Sequence, residues 1–400
     1  MSDIALNYAP YRKQPLKALY LVYEAVATAL RLPYWVLVSL PPALRPRRSW
    51  GFKKSLHVRF LRLLTSLGSK VGPLIDLPNH LALVTGVGYH GIWVEPAANE
   101  LLQGELTTWM RVAGVSSVKL PAYWLHKLNS TIDLEAPLMP GEKIVYALHG
   151  GAYTRLSAHP SDVTSGIVRG LLQKVDSVHR TFSIEYRLSS TSPYPEENAF
   201  PAALVDAIAG YAYLVSKFPA SEIIVEGDSA GGNLALALTR YLVEHPNPNL
   251  PVPGGLLLLS PWCDMSGSHI TPGASYYTCA KSDYLPVTRN SSSLYPVIAF
   301  SGPFGMGATE FNPYISPSSK RIPEVSFAGF PPTFISSGGA ELLRDSIRTL
   351  HERMARSDTK VQFLEAADAV HDFIVFENGY HEPERTESLT AIAKWVYSLN

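Results

Sequence analysis

From residue 143 to the carboxyl terminus, short uninterrupted apolar runs alternate with longer stretches of helical spacing. Ile144-Val145-Tyr146-Ala147-Leu148 is the first such run, 222–225 and 255–259 repeat it, and 181–186 alternates apolar with polar residues. Each is too short for a helix and rich in β-branched, aromatic or leucine side chains, so each reads as a strand. Between them, 161–175, 202–218 and 230–244 read as helices. A strand that is apolar throughout is buried on both faces, which predicts a mostly parallel sheet of about eight strands with helices on both sides. The alternation breaks at Asp264. Residues 264–330 are rich in Ser, Pro, Tyr and Gly, too long for a plain connection, and read as an insertion that caps the site. Strands at 333–337 and 361–364 and helices at 344–355 and 386–399 then complete the pattern.

Residues 1–135 lack this rhythm. They are expected to form an N-terminal extension with cap elements, leaving 136–400 as the main domain. Residues 16–44 are rich in Leu, Val, Tyr and Trp but are interrupted by Lys17, Glu24 and Arg31. A bilayer span takes about 20 apolar residues, so a span here would carry Glu24 or Arg31 inside it. A basic cluster follows: Arg45, Arg47, Arg48, Lys53 and Lys54. Two readings fit. One is a helical extension packed on the main domain. The other is a monotopic anchor over 16–54, with its apolar face in lipid and the cluster on anionic headgroups. Further on, 101–129 reads as helical around Trp109 and Trp124. Gly86-Val87-Gly88-Tyr89-His90-Gly91 matches G-x-G-x-x-G, but a dinucleotide site needs a helix to begin there. Ile92-Trp93-Val94-Glu95-Pro96 follows instead, so 81–84 and 92–96 are expected to pair as a hairpin.

Composition narrows the classes. Formal net charge is zero and only 17% of residues are charged, which gives no electrostatic case for nucleic acid. Two cysteines, Cys263 and Cys279, cannot build a disulfide framework, and a reducing compartment is the default. No metal-ligand spacing is present, so neither metal nor cofactor is expected. No cleavable signal is evident at the amino end. The expected location is cytoplasmic or endoplasmic-reticulum membrane-associated, and not clearly secreted. Asn129-Ser130-Thr131 and Asn290-Ser291-Ser292 are glycosylation acceptors only in a secretory lumen.

The chemistry centres on Gly227-Asp228-Ser229-Ala230-Gly231, which follows the apolar run Ile223-Ile224-Val225 and precedes a helical Ala/Leu segment. Strand, tight turn and helix is the setting in which G-x-S-x-G lifts a serine clear of the backbone, with glycines expected to take positive φ and to permit close packing. A serine hydroxyl needs a base to take its proton and a third group to orient that base. In such folds the order is Ser, acid, His, the last two on loops after later strands. Ser229 is therefore the expected nucleophile and His371 the general base. Asp345, in Glu341-Leu342-Leu343-Arg344-Asp345, is the expected acid, with Glu341 its rival because it lies nearer the strand end. His381, in a polar segment, is the rival base. An oxyanion hole needs backbone amides. Ala230 should supply one, and Gly150, Gly151 and Ala152, after the strand at 143–148, the others.

These motifs resemble those of the hormone-sensitive-lipase-like branch of the α/β-hydrolases, the fold-3 group. The likeness rests on His149-Gly150-Gly151, Tyr186-Arg187-Leu188, Phe200-Pro201-Ala202-Ala203-Leu204 with Asp206, the Ser229 turn, Asp283-Tyr284-Leu285, Leu343-Arg344-Asp345 and His371-Asp372-Phe373. It covers roughly 140–400. The N-terminal Leu32-Pro33-Tyr34-Trp35 region is similar to that of fungal members, some of them membrane-associated. The resemblance implies an α/β-hydrolase fold and hydrolysis of a small-molecule carboxylic ester through an acyl-enzyme, with His149 structural. A third glycine is common where Ala152 stands. Acyl transfer or cyclisation at the same site, and a non-catalytic receptor, are the alternatives. The aromatics Tyr276, Tyr277, Tyr284, Phe304, Phe311 and Tyr314 in the insertion are expected either to line an apolar substrate site or simply to pack.

Overall fold

The computed structural model describes residues 8–74, 77–86, 88–287 and 291–399. Val87 of the Gly-rich match and Asn290 of the second glycosylation acceptor lie outside the described residues. The chain opens with two long helices, α1 (Leu16–Ser39) and α2 (Phe52–Val71). Then come β1 (Tyr89–Val94), α3 (Glu105–Ala113), β2 (Leu120–His126), β3 (Lys143–Leu148), α4 (Ser165–Lys174) and β4 (Val178–Ile184). The central units are α5 (Ala202–Val215), β5 (Ile223–Asp228), α6 (Ser229–Glu244) and β6 (Gly255–Leu259). Between β6 and β7 (Thr333–Gly338) lie the short helices α7 (Ser275–Thr278), α8 (Ser291–Ser301) and α9 (Gly305–Phe311). The chain closes with α10 (Arg344–Arg356), β8 (Val361–Ala366) and α11 (Glu384–Tyr397).

The strands form one eight-stranded sheet in the order β1-β2-β4-β3-β5-β6-β7-β8. β1 pairs antiparallel with β2, and β2 antiparallel with β4; every other pairing is parallel. Successive side chains in a strand point to opposite faces, and the core divides accordingly. Ile144, Tyr146 and Leu148 join Leu256 and Leu258 beneath α5, α6 and α10. Val145, Ile224, Leu257 and Leu259 pack with residues of α4 and α11 on the other face. This is why β3 and β6 are apolar at nearly every position and β5 over its first half, whereas the edge strand β8 is only half-buried. Arg187, just after β4, and Asp206 of α5 tie the strand end to the helix: the buried carboxylate takes the Arg187 amide at 2.8 Å and its guanidinium at 2.7 Å.

Several expectations need correction. Residues 101–129 are half helix and half strand, because Trp109 lies in α3 whereas Trp124 lies in β2, buried against Phe182. No hairpin joins 81–84 to 92–96. β1 spends its hydrogen bonds on β2 instead, leaving a single bridge between Gly86 and Tyr89. The expected boundary at 135/136 therefore falls inside one sheet, whose first strand begins at Tyr89. The basic cluster is not uniformly free. Arg45 closes α1 by donating to the carbonyls of Ser39 (2.8 Å), Leu40 (2.7 Å) and Trp50 (2.6 Å). Lys54 is buried in an ion pair with Glu384 at 2.6 Å. Arg48 and Lys53 remain exposed.

Candidate active site

β5 ends at Asp228 and α6 starts at Ser229, so the serine sits on the turn between them. Positive φ falls on the serine itself, at 49°, and on neither glycine of G-x-S-x-G. The glycines are needed for close approach: a Cβ at Gly231 would lie 1.8 Å from the Leu148 carbonyl oxygen, and one at Gly227 would lie 2.2 Å from the Gly231 oxygen. A non-glycine residue at such φ is strained, and it persists only where packing over-determines it. Here the nucleophile turn is wedged against the end of β3, and Trp262 donates its amide to the Ser229 carbonyl at 2.8 Å.

His371 lies in the loop after β8 and reaches Ser229 directly, with Nε2 2.9 Å from Oγ. Its other nitrogen, Nδ1, faces the Glu341 carboxylate at 3.8 Å. Glu341 is fully buried and held in place by the Ser260 hydroxyl at 2.6 Å and the Gly338 amide at 3.1 Å. Catalytic contacts are often long in an unliganded site and tighten around substrate. Asp345, the expected acid, is turned elsewhere. It stands in the first turn of α10 and accepts the Ser275 amide at 2.7 Å and the Arg344 guanidinium at 3.2 Å. Burial alone would raise its carboxyl, but that amide and Arg344 outweigh it and hold it below the usual range. The physical reason is local. Glu341 belongs to the turn leaving β7 and can point back over the sheet, whereas Asp345 is already committed to the helix and to bracing α7. The rival base His381 is buried, stacked on Phe376 at 4.6 Å, and pushed down to about 3 by burial.

Asp372 is a participant the motif reading did not assign. Its carboxylate lies 2.9 Å from His371 Nε2, on the nitrogen that also faces the serine. Burial pulls the imidazole down, but Asp372 and then Glu341 outweigh it and hold His371 well above its ordinary value. Glu226 and Asp228, buried beside Asp372, are both raised well above the carboxylate range by burial and by repulsion from neighbouring carboxylates.

The His149 loop lies against the serine turn. Gly150 was expected in the oxyanion hole, but its amide is already donated to Asp228 Oδ1 at 2.9 Å, so it serves as a brace. Gly151 (φ 110°) and Ala152 (φ 54°) turn the chain back, and among the described residues neither amide has an internal partner. Ala152 lines the same cavity as Ser229, and Ala230 occupies the first turn of α6. His149 is buried, stacked on Tyr186 at 4.2 Å, and lowered to about 4 by burial, so it is neutral and structural.

Three residues tie down the loops that carry Glu341 and His371. Buried Asp283 accepts the amides of Leu342 (2.7 Å) and His371 (3.4 Å). Arg47, from the basic cluster, donates to the carbonyls of Gly339 (2.5 Å) and Ala367 (2.8 Å). Trp50 adds a bond from its indole nitrogen to the Asp368 carbonyl at 2.9 Å. The cavity at Ser229 measures about 190 Å³ and is walled by Trp262, Met265, Ile270, Tyr276, Leu285 and Leu343. Of the insertion's aromatics among the described residues, only Tyr276 lines it. Tyr284 packs near His371, Tyr314 packs against Trp109, and Tyr277 and Phe311 are exposed.

Residues 144–375 match the model of a family described as the alpha/beta hydrolase fold, and the chain belongs to that family. An esterase of Acinetobacter venetianus is 27% identical over 264 residues, covering 64% of this chain and 76% of that protein. An acetyl-hydrolase of Streptomyces hygroscopicus is 27% identical over 240 residues, 58% of this chain and 68% of that protein. The gibberellin receptor GID1A of Arabidopsis thaliana is 24% identical over 275 residues, 68% of this chain and 74% of that protein. Among solved structures, a hormone-sensitive lipase from a metagenome library shares the fold with a TM-score of 0.56 at 23% identity, covering 86% of this chain and 92% of that one. Within this family the chain is a carboxylic ester hydrolase of the esterase and lipase type.

Proposed function

We propose that the chain cleaves carboxylic esters through an acyl-enzyme on Ser229, with His371 as general base and then acid and Glu341 as the orienting carboxylate. The 2.9 Å contact between His371 Nε2 and Ser229 Oγ, on a strained turn at the mouth of an apolar cavity, carries this reading. The imidazole accepts the hydroxyl proton as Oγ attacks the ester carbonyl. Glu341 stabilises the imidazolium that forms. The developing oxyanion is met by the amides of Gly151, Ala152 and Ala230, helped by the positive end of α6. The imidazolium then protonates the departing alcohol, and water repeats the sequence on the acyl-enzyme.

The insertion at 264–330 acts as the cap, since it supplies Met265, Ile270, Tyr276 and Leu285 to the cavity. A cavity of about 190 Å³ suits a small or medium apolar group, such as the acyl part of an acetylated lipid, sterol or secondary metabolite. A serine-directed fluorophosphonate should label the wild type and not Ser229→Ala. An unlabelled wild type that binds ligand would instead favour a receptor. A panel of acyl-chain lengths on one chromogenic alcohol should show highest kcat/KM at the short end. Adding an acceptor alcohol should leave free acid the main product, where acyl transfer would make a new ester dominant.

A further inference from the structure

α1 carries a continuous apolar stripe that the protein leaves uncovered. Leu19, Val22, Tyr23, Val26, Leu30, Tyr34 and Leu37 recur at helical three-to-four spacing and are each between 57% and 76% exposed. No residue of its most apolar 18-residue window is buried. The helix's internal charges are disposed of on another arc: Glu24 pairs with Arg31 at 3.1 Å and takes the Tyr20 hydroxyl at 3.1 Å. Exposed cations stand beyond each end, Lys13 before the helix and Arg48 and Lys53 after it. An outward apolar face flanked by cations fits a lipid surface.

Length alone would permit a span, since 24 residues rise about 36 Å against a hydrocarbon core of about 30 Å. The ties at both ends forbid it. Before α1, the amides of Ala9 and Tyr11 each donate at 2.9 Å to the end of α2, at Ser69 and Lys70, and Lys17 reaches the Pro73 carbonyl at 3.1 Å. After α1, Arg47 and Trp50 fasten the chain to the loop that leads into His371, at the Ala367 and Asp368 carbonyls. α2 is itself fixed, with Val58 buried and Arg62 donating to the Ala280 carbonyl at 2.7 Å. A helix whose two ends are held by one globule lies along a leaflet. Beside α2 runs an apolar groove of about 670 Å³, with Leu64, Gly68, Pro73, Leu74 and Leu77 in its wall. Arg155 lines both this groove and the Ser229 cavity.

We infer that α1 is an in-plane membrane anchor, and that the chain draws esters of long apolar alcohols from the leaflet through the α2 groove to Ser229. The substrate half of this rests on the ester-hydrolysis reading above; the anchor half does not. The test uses the full-length chain with vesicles of phosphatidylcholine, some carrying hexadecyl acetate, and p-nitrophenyl acetate in solution as the control substrate. The wild type should float with vesicles. Leu19→Glu/Val26→Glu/Leu30→Glu should reduce the bound fraction about tenfold or more, keep its rate on soluble ester, and lose hydrolysis of the vesicle-borne ester. An amino-terminal tag should be digested from every molecule whose catalytic domain faces outward. A tag protected across the bilayer would overturn the in-plane arrangement in favour of a span. Absence of flotation, including a chain that instead dimerises through α1, would overturn the anchor. Equal hydrolysis of hexadecyl acetate by the bound wild type and the unbound variant would overturn the leaflet route. Loss of activity on soluble ester in the wild type would count against the Ser229 chemistry alone.

Discussion

Glu341 and Asp345 sit on consecutive turns of chain but face different partners, and the site's chemistry divides between them. Glu341 Oε2 lies 3.8 Å from His371 Nδ1, while Asp345 is spent on Ser275 and Arg344. Glu341→Gln should therefore lower kcat for p-nitrophenyl acetate by about 10²- to 10⁴-fold, the range expected when a base loses its orienting charge. Asp345→Asn should stay within about threefold, because it touches none of the reacting groups. Comparable losses in both variants would leave the acid unassigned. The pH profile is a second residue-scale consequence. His371 works as a base only when neutral, and Asp372 and Glu341 hold its pKa well above the ordinary value. Activity should be low below that raised pKa and climb as pH rises through it. Asp372→Asn removes the nearer negative charge, so the rising limb of kcat/KM should move to lower pH. A limb that stays in place would show that Asp372 does not hold the proton.

At the scale of elements, the nucleophile turn was legible because its demands are local: a strand, a serine at positive φ, and glycines where backbones touch. The order Ser, acid, His was legible from topology, and the parallel core from strands without polar positions. The choice between Glu341 and Asp345 was not, because it turns on where β7 ends and α10 begins, a matter of a few residues. Trp124 misled because a single aromatic marks a strand and a helix alike. The link from Arg47 to the Gly339 and Ala367 carbonyls joins residues about 300 positions apart, and no spacing rule reaches that far. Through these bonds Arg47 is expected to position the loops that carry Glu341 and His371. Arg47→Ala should lower kcat about tenfold with KM little changed, since small misplacements of catalytic groups are costly, and Arg47→Lys should recover part of it. A rise in KM with kcat intact would assign Arg47 to substrate binding instead.

For the whole molecule, one sheet unites the first strand at Tyr89 with the last at Ala366, and buried ion pairs tie its connections together. Asp206 is fully buried and receives both the Arg187 amide and its guanidinium. Truncating one member of such a pair strands the other charge, so Asp206→Ala should reduce unfolding stability by about 3–5 kcal/mol in urea titration. A loss under about 1 kcal/mol would mean that water reaches Arg187. The same sheet brings Ser229, Glu341 and His371 together from the ends of three different strands, with Ser229 in the cavity wall, and on the proposed reading the serine's reactivity is a property of the fold. The most direct test is the mass of the Ser229 peptide from enzyme quenched with acid during turnover of p-nitrophenyl butanoate. A butanoyl adduct on Ser229, formed in step with the release of p-nitrophenol and absent from His371→Ala, is the predicted result. Full turnover with no adduct, or turnover that survives Ser229→Ala, would contradict the account.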